Sequence, residues 1–99
     1  MTLQDQLQAT YEELFEAARQ LNEGEENPVL NDGRPFKDYE MEAYVDTHEV
    51  VYTLGGPMIY AQYDLDACEA ILIAEHGEDR VEMRLEPHVA EALGYYYFG

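Results

Sequence analysis

The chain has no tryptophan and no serine, and its 99 residues hold one cysteine, one lysine and four arginines. Each scarcity removes a class of function. Without serine there is no Ser-His-Asp nucleophile. Cys68 alone cannot form an intrachain disulfide, and no Cys/His spacing fits a zinc site. It has acids beside it (Asp66, Glu69) and no local cation to favour its thiolate, so it reads as a small core residue. His48, His76 and His88 fall in different segments without ligand spacing and read as surface or loop histidines. With Arg19, Arg34, Lys37, Arg80 and Arg84 as the only bases, the chain lacks the basic patches by which a nucleic-acid binder holds phosphate. No apolar run approaches membrane-spanning length. The amino end has neither the basic nor the apolar region of a signal peptide, so a cytoplasmic location is expected. No catalytic motif survives these exclusions. The expectation is a protein that is not an enzyme, with no cofactor and no metal.

What the chain has in excess is acid. Fifteen Glu and seven Asp leave a net charge of −17. A compact chain of this length is about 33 Å across, so it would carry about one net charge per 1.9 Å. B-DNA carries one per about 1.7 Å of axis. Such a field attracts basic partners and repels nucleic acid itself. High charge also marks disordered chains, but those lack aromatics and β-branched runs, and this one has both. One folded domain over residues 1–99 is expected. Asp64, Asp66 and Glu75 stand at positions 1, 3 and 12 of a calcium loop. Position 6, which needs glycine, is Glu69, so an EF-hand is excluded.

The pattern along the chain predicts an α+β fold: a long amino-terminal helix packed on an antiparallel sheet of four or five strands, then a short carboxy-terminal helix. Leu3, Leu7, Tyr11, Leu14, Phe15, Ala18 and Leu21 form one helical face over about Leu3 to Glu23. Thr2 is the expected N-cap with Asp5 at N3, and Gly24 the expected C′ residue. On the opposite face Asp5, Glu12, Glu16 and Glu23 fall within about 40° of one another at 100° per residue. Residues 24 to 38 read as a connector pinned by Val29, Leu30 and Phe36. Tyr39 to Asp46 alternates, with Met41, Ala43 and Val45 on one side and Glu40, Glu42, Tyr44 and Asp46 on the other, and predicts a strand. Val50 to Asp64 holds two alternating runs joined by Gly55-Gly56-Pro57, a hairpin. Asp66 to Gly77 supports either helix or strand. The run Ile71-Leu72-Ile73 and the alternation of Val81, Met83 and Leu85 beyond His76-Gly77-Glu78-Asp79 favour a second hairpin. Pro87 opens the last helix. Tyr95 to Gly99 is too aromatic for a solvated tail and is expected to dock on the sheet, with a dimer contact as the alternative.

At L-G-G-P-M-I-Y (Leu54 to Tyr60) and the closing Y-Y-Y-F-G, the chain resembles small acidic proteins encoded by phages and mobile elements. In size and charge it resembles anti-CRISPR and anti-restriction proteins that mimic nucleic acid. The resemblance implies an inhibitor, monomeric or homodimeric, that fills the basic groove of a defence complex. The acids expected to stand in for phosphates are Asp5, Glu12, Glu16 and Glu23 on the helix and Glu40, Glu42, Asp46 and Glu82 on the strands. The alternatives are an acidic adaptor that binds a basic partner without mimicry, and a protein of a high-salt cytoplasm.

Overall fold

A computed structural model of the chain describes residues 2–53 and 57–99. Helix α1 (Leu3–Asn22) begins with a capping box: Thr2 Oγ1 accepts from the Asp5 amide at 3.1 Å, and Asp5 accepts from the Thr2 amide at 3.2 Å. The four orphan amides of a helix start make such side-chain acceptors worth about 1 kcal/mol. At the other end Glu23 is the C-cap, and Gly24 takes φ +96°. The Gly24 amide then reaches Leu21 O and the Glu25 amide reaches Gln20 O, which is a Schellman motif. Leu7, Thr10, Leu14, Ala17 and Ala18 are the buried face. The expected stripe is buried at Leu7, Leu14 and Ala18, and its other members, Leu3, Tyr11, Phe15 and Leu21, pack half-buried at the core's margin. It missed Thr10, whose hydroxyl donates back to Gln6 O at 3.1 Å and so costs little when buried.

The connector is pinned by buried Pro28, Leu30 and Phe36, the last opening a single 3₁₀ turn. Val29 is not an anchor, for its side chain is 47% exposed. Its backbone is held instead. The Gln20 side-chain amide donates to Val29 O and accepts from Val29 N, both at 2.8 Å.

Five strands follow in sequence order as an antiparallel meander: β1 (Glu42–Tyr44), β2 (Glu49–Thr53), β3 (Met58–Asp64), β4 (Glu69–His76) and β5 (Asp79–Arg84). β2 and β3 pair as the hairpin pattern predicted, with Val50 opposite Ala61 and Val51 opposite Tyr60. Of the Gly55-Gly56-Pro57 connection, Gly55 and Gly56 lie outside the described residues. The ambiguous segment is strand: the β4–β5 hairpin turns at Gly77-Glu78, with Gly77 at φ +63° in the position that a type II′ turn reserves for glycine. The strand expected over Tyr39 to Asp46 forms, but it is shorter and more exposed than its alternation predicts. Only three residues pair, all exposed, with Met41 and Val45 exposed beside them. β1 is an edge strand bonded to β2 alone, and unlike the other edge, β5, it does not lie under α1, so its alternation has no core to face.

Helix α2 (Pro87–Phe98) starts at Pro87. α1 crosses β4 and β5, and α2 packs on α1 and β4. Leu7, Leu14, Leu72, Val89 and Leu93 meet there without solvent contact. The end of α2 covers the middle of the sheet: the Tyr97 and Phe98 rings sit 6.2 and 5.5 Å from Tyr63, and Phe98 sits 5.2 Å from His48. Tyr97 and Phe98 dock on the sheet as the composition predicted, whereas Tyr95 stays exposed.

Cys68 is not a core residue. It is exposed in the β3–β4 turn at φ 54°, as His48 is at φ 55° in the β1–β2 turn. A left-handed non-glycine residue costs about 1–2 kcal/mol, and glycine gives back about 0.5–1 kcal/mol in chain entropy. Cys68→Gly is therefore expected to stabilise the fold by about 0.5 kcal/mol. A lower denaturation midpoint for that variant would contradict this reading of the turn.

Candidate partner-binding surfaces

The sheet has one face on the helices and one face open. Alternation along each strand puts three cross-strand rows on the open face. The central row runs Glu42, Val51, Tyr60, Ile73, Glu82; beside it runs Tyr44, Glu49, Gln62, Ile71, Arg84; the third pairs Met58, Glu75 and Arg80. Asp64 and Glu69 close the corner. Val51, Tyr60 and Ile73 are buried at 2, 9 and 1% exposure beneath their neighbours, although no second layer covers them. The result is a face with an apolar centre ringed by carboxylates. Glu42 and Glu82 stand at its two edges, four strand spacings or about 19 Å apart.

The arginines on this face are held by its own acids. Arg80 donates to Glu82 at 2.7 Å and Glu75 at 3.2 Å, and Arg84 lies 3.5 Å from Glu69. The Tyr60 hydroxyl also donates to Glu75, at 2.9 Å. Glu42, Glu49 and Asp64 form no ion pair among the described residues, so the face keeps an uncompensated negative charge.

The helix row is different in kind. Asp5 is used as the cap, and Arg19 lies between Glu16 and Glu23, bonded to both, at 2.8 Å to Glu23. The Arg19 guanidinium holds the Glu16 carboxyl below the usual carboxylate range. Of the four acids expected there, Glu12 alone is left without such a partner among the described residues. The i,i+3 and i,i+4 spacing of Arg19 was visible in the sequence and predicts this neutralisation.

The eight expected acids therefore do not make one surface. Asp5, Glu12, Glu16 and Glu23 lie on the helix layer; Glu42 and Glu82 lie on the opposite face; Asp46 is exposed in the β1–β2 turn. Glu40 is half-buried, with Oε2 out of reach of any hydrogen-bond donor. Burial pushes its carboxyl up, and the nearby Tyr97 phenol offsets only part of that. A raised carboxyl holds its proton longer in the folded chain, so this cost to stability appears as pH rises through its folded value and vanishes on acidification. Glu40 thus belongs to the aromatic layer around Tyr52, Tyr63 and Tyr97 rather than to an exposed ladder. The Tyr52 hydroxyl donates to that of Tyr97 at 3.3 Å and lies 3.4 Å from that of Tyr63, and burial pushes all three phenols up.

No protein-family model, curated protein or solved structure matches the chain.

Among the described residues no cluster of His, Cys, Asp and Glu is arranged to hold a metal ion, and no helix is long and apolar enough to cross a membrane. The open-face acids that the sequence pattern did not assign to partner binding are Glu49, Asp64, Glu69 and Glu75. Their signal was the same period-2 alternation, carried through β2, β3 and β4, where the apolar residues drew the eye to the other face.

The surface charge has a direct consequence. Mean repulsion between exposed acids weakens the compact state, and at about 0.15 M salt the Debye length is only about 8 Å. The melting temperature is expected to rise as salt is added to a low-ionic-strength buffer. An unchanged midpoint would mean that the ion pairs of the four arginines outweigh the net repulsion.

Proposed function

We propose that the protein is an inhibitor that lies in the positively charged nucleic-acid groove of a host CRISPR-Cas or restriction complex and takes the place of DNA or RNA there. The observation that carries this reading is the density and placement of charge. A net −17 on a body 39 × 32 × 21 Å is one charge per about 2.3 Å of its long axis, against about 1.7 Å for B-DNA. The open sheet face presents part of that charge, six carboxylates against two arginines, on paired strands. Carboxylates there offer Arg and Lys the charge-assisted hydrogen bonds that phosphates accept. Glu42, Glu49 and Asp64, which form no ion pair among the described residues, are the phosphate substitutes in this reading, while Glu69, Glu75 and Glu82 are shared with Arg80 and Arg84. The α1 row, largely satisfied within its own helix, contributes long-range field rather than contacts.

One observation favours the second reading, an adaptor that binds a basic partner without displacing nucleic acid. Met41, Tyr44 and Val45 are 55, 46 and 64% exposed together at the edge strand. A pure charge mimic has no use for them, whereas a protein interface uses such residues as anchors. The two readings differ in one result. A target complex is expected to lose uptake of labelled DNA or RNA in proportion to the protein added. Undiminished uptake by a target that holds the protein would replace the mimic with the adaptor.

A further inference from the structure

The end of α1 and the outer side of α2 enclose a groove of about 610 Å³, within the range of clefts that hold small ligands, about 300–1,000 Å³. Leu21, Ala92 and the half-buried Tyr96 form its apolar part, and Glu25, Glu26 and Glu91 stand around it. None of these three acids forms an ion pair among the described residues, in contrast to Glu16 and Glu23, which Arg19 holds. Tyr95 borders the same groove. It is 79% exposed, the most exposed large apolar side chain described, while Tyr96, Tyr97 and Phe98 pack inward. The groove also opens at the carboxy-terminal end of α1, where the helix dipole is negative and favours a cation.

We propose that this groove receives the side chain of an arginine presented by a protein partner. Three features select the occupant. An anion is repelled by three carboxylates and the end of the helix. A neutral apolar group would strip water from those carboxylates without replacing their hydrogen bonds. Between the two cationic side chains, the guanidinium alone can stack on a tyrosine face while donating in a fork to carboxylates; a lysine ammonium is compact and more strongly hydrated. The proposal rests on the reading of the protein as a binder of basic partners. It adds a second contact on the side away from the open sheet face, so that a body lying in a channel is gripped from both walls.

The test needs no target. The ¹⁵N-labelled protein is titrated at about 0.15 M salt, where exposed pairs are screened, with N-acetyl-arginine amide and with the lysine and citrulline counterparts. Saturable shifts are expected at the amides of Gly24 to Glu26 and of Glu91 to Tyr96, at least fivefold weaker affinity for lysine, and no saturation with citrulline. Tyr95→Ala and the double variant Glu26→Gln/Glu91→Gln change exposed side chains and are each expected to weaken arginine binding at least fivefold. Shifts spread evenly over the acidic surface, equal affinity for lysine, or affinity unchanged in both variants would overturn the proposal. Such a failure would leave the sheet-face reading standing. Failure of nucleic-acid competition would leave the groove standing, because any basic partner can supply the arginine.

Discussion

Phe36→Ala is expected to remove about 3–5 kcal/mol of stability. Phe36 has no solvent exposure and is the point where the connector meets the end of α2: its ring centre lies 5.6 Å from Tyr96, 6.1 Å from Tyr97 and 6.1 Å from Tyr39. The alanine variant leaves a cavity bounded by three aromatic rings, of which Tyr39 and Tyr97 are held against Tyr52 and Tyr63 of the sheet and cannot collapse inward freely. A domain of this size has about 5–15 kcal/mol in total, so the loss is a large part of the whole. With a urea slope of about 1–3 kcal/mol/M, the midpoint should fall by about 2 M. A shift below about 0.5 M would mean that the connector is not part of the cooperative core.

The elements of this fold were legible where local chemistry and burial agree. Thr2 and Asp5 announce the start of α1, Gly24 its end, and Pro87 the start of α2. The apolar alternation of β3 and β5 has a helix layer to face and read correctly, while β4, read from the run Ile71-Leu72-Ile73, was open to either helix or strand. Legibility failed where the pattern had nothing to pack against. Met41, Ala43 and Val45 alternate as a strand should, yet β1 does not lie under α1 and stays exposed. Cys68 looked like a core residue because small apolar side chains are usually buried; the left-handed backbone of a four-residue turn placed it outside instead. For the candidate site the limits were sharper. The sequence showed that acids abound, and helical geometry grouped Asp5, Glu12, Glu16 and Glu23. It did not show that Glu42 and Glu82 share one row across five strands, since that depends on the register of four separate pairings. Nor could it show that the two groups face opposite ways.

That division of faces leads to the second large effect. Reversing Glu42, Glu49 and Asp64 to lysine is expected to weaken binding to the target complex by more than 100-fold. A single exposed pair is worth only about 0–1 kcal/mol. Each reversal, however, exchanges an attraction for a repulsion of similar size, so three together remove about 3 kcal/mol, and every 1.4 kcal/mol is tenfold. The matched set on the helix layer, Glu12, Glu16 and Glu23 to lysine, changes net charge by the same amount and therefore slows long-range association equally. It removes no sheet-face contact and is expected to weaken equilibrium binding less than tenfold. Surface plasmon resonance of both triple variants at two salt concentrations separates these effects. Equal losses from the two sets would mean that binding depends on total charge and not on the open sheet face.

The central claim is that the protein and a nucleic acid compete for one basic groove. It is tested most directly by immobilising the protein, loading it with host lysate, and challenging the retained complex with short duplex DNA, with RNA and with polyglutamate of equal total charge. The account predicts that DNA or RNA releases a nucleic-acid-binding complex while polyglutamate, which lacks the geometry of the groove's natural ligand, releases far less. Retention of a partner that takes up DNA and RNA at full affinity while still bound to the protein would contradict it.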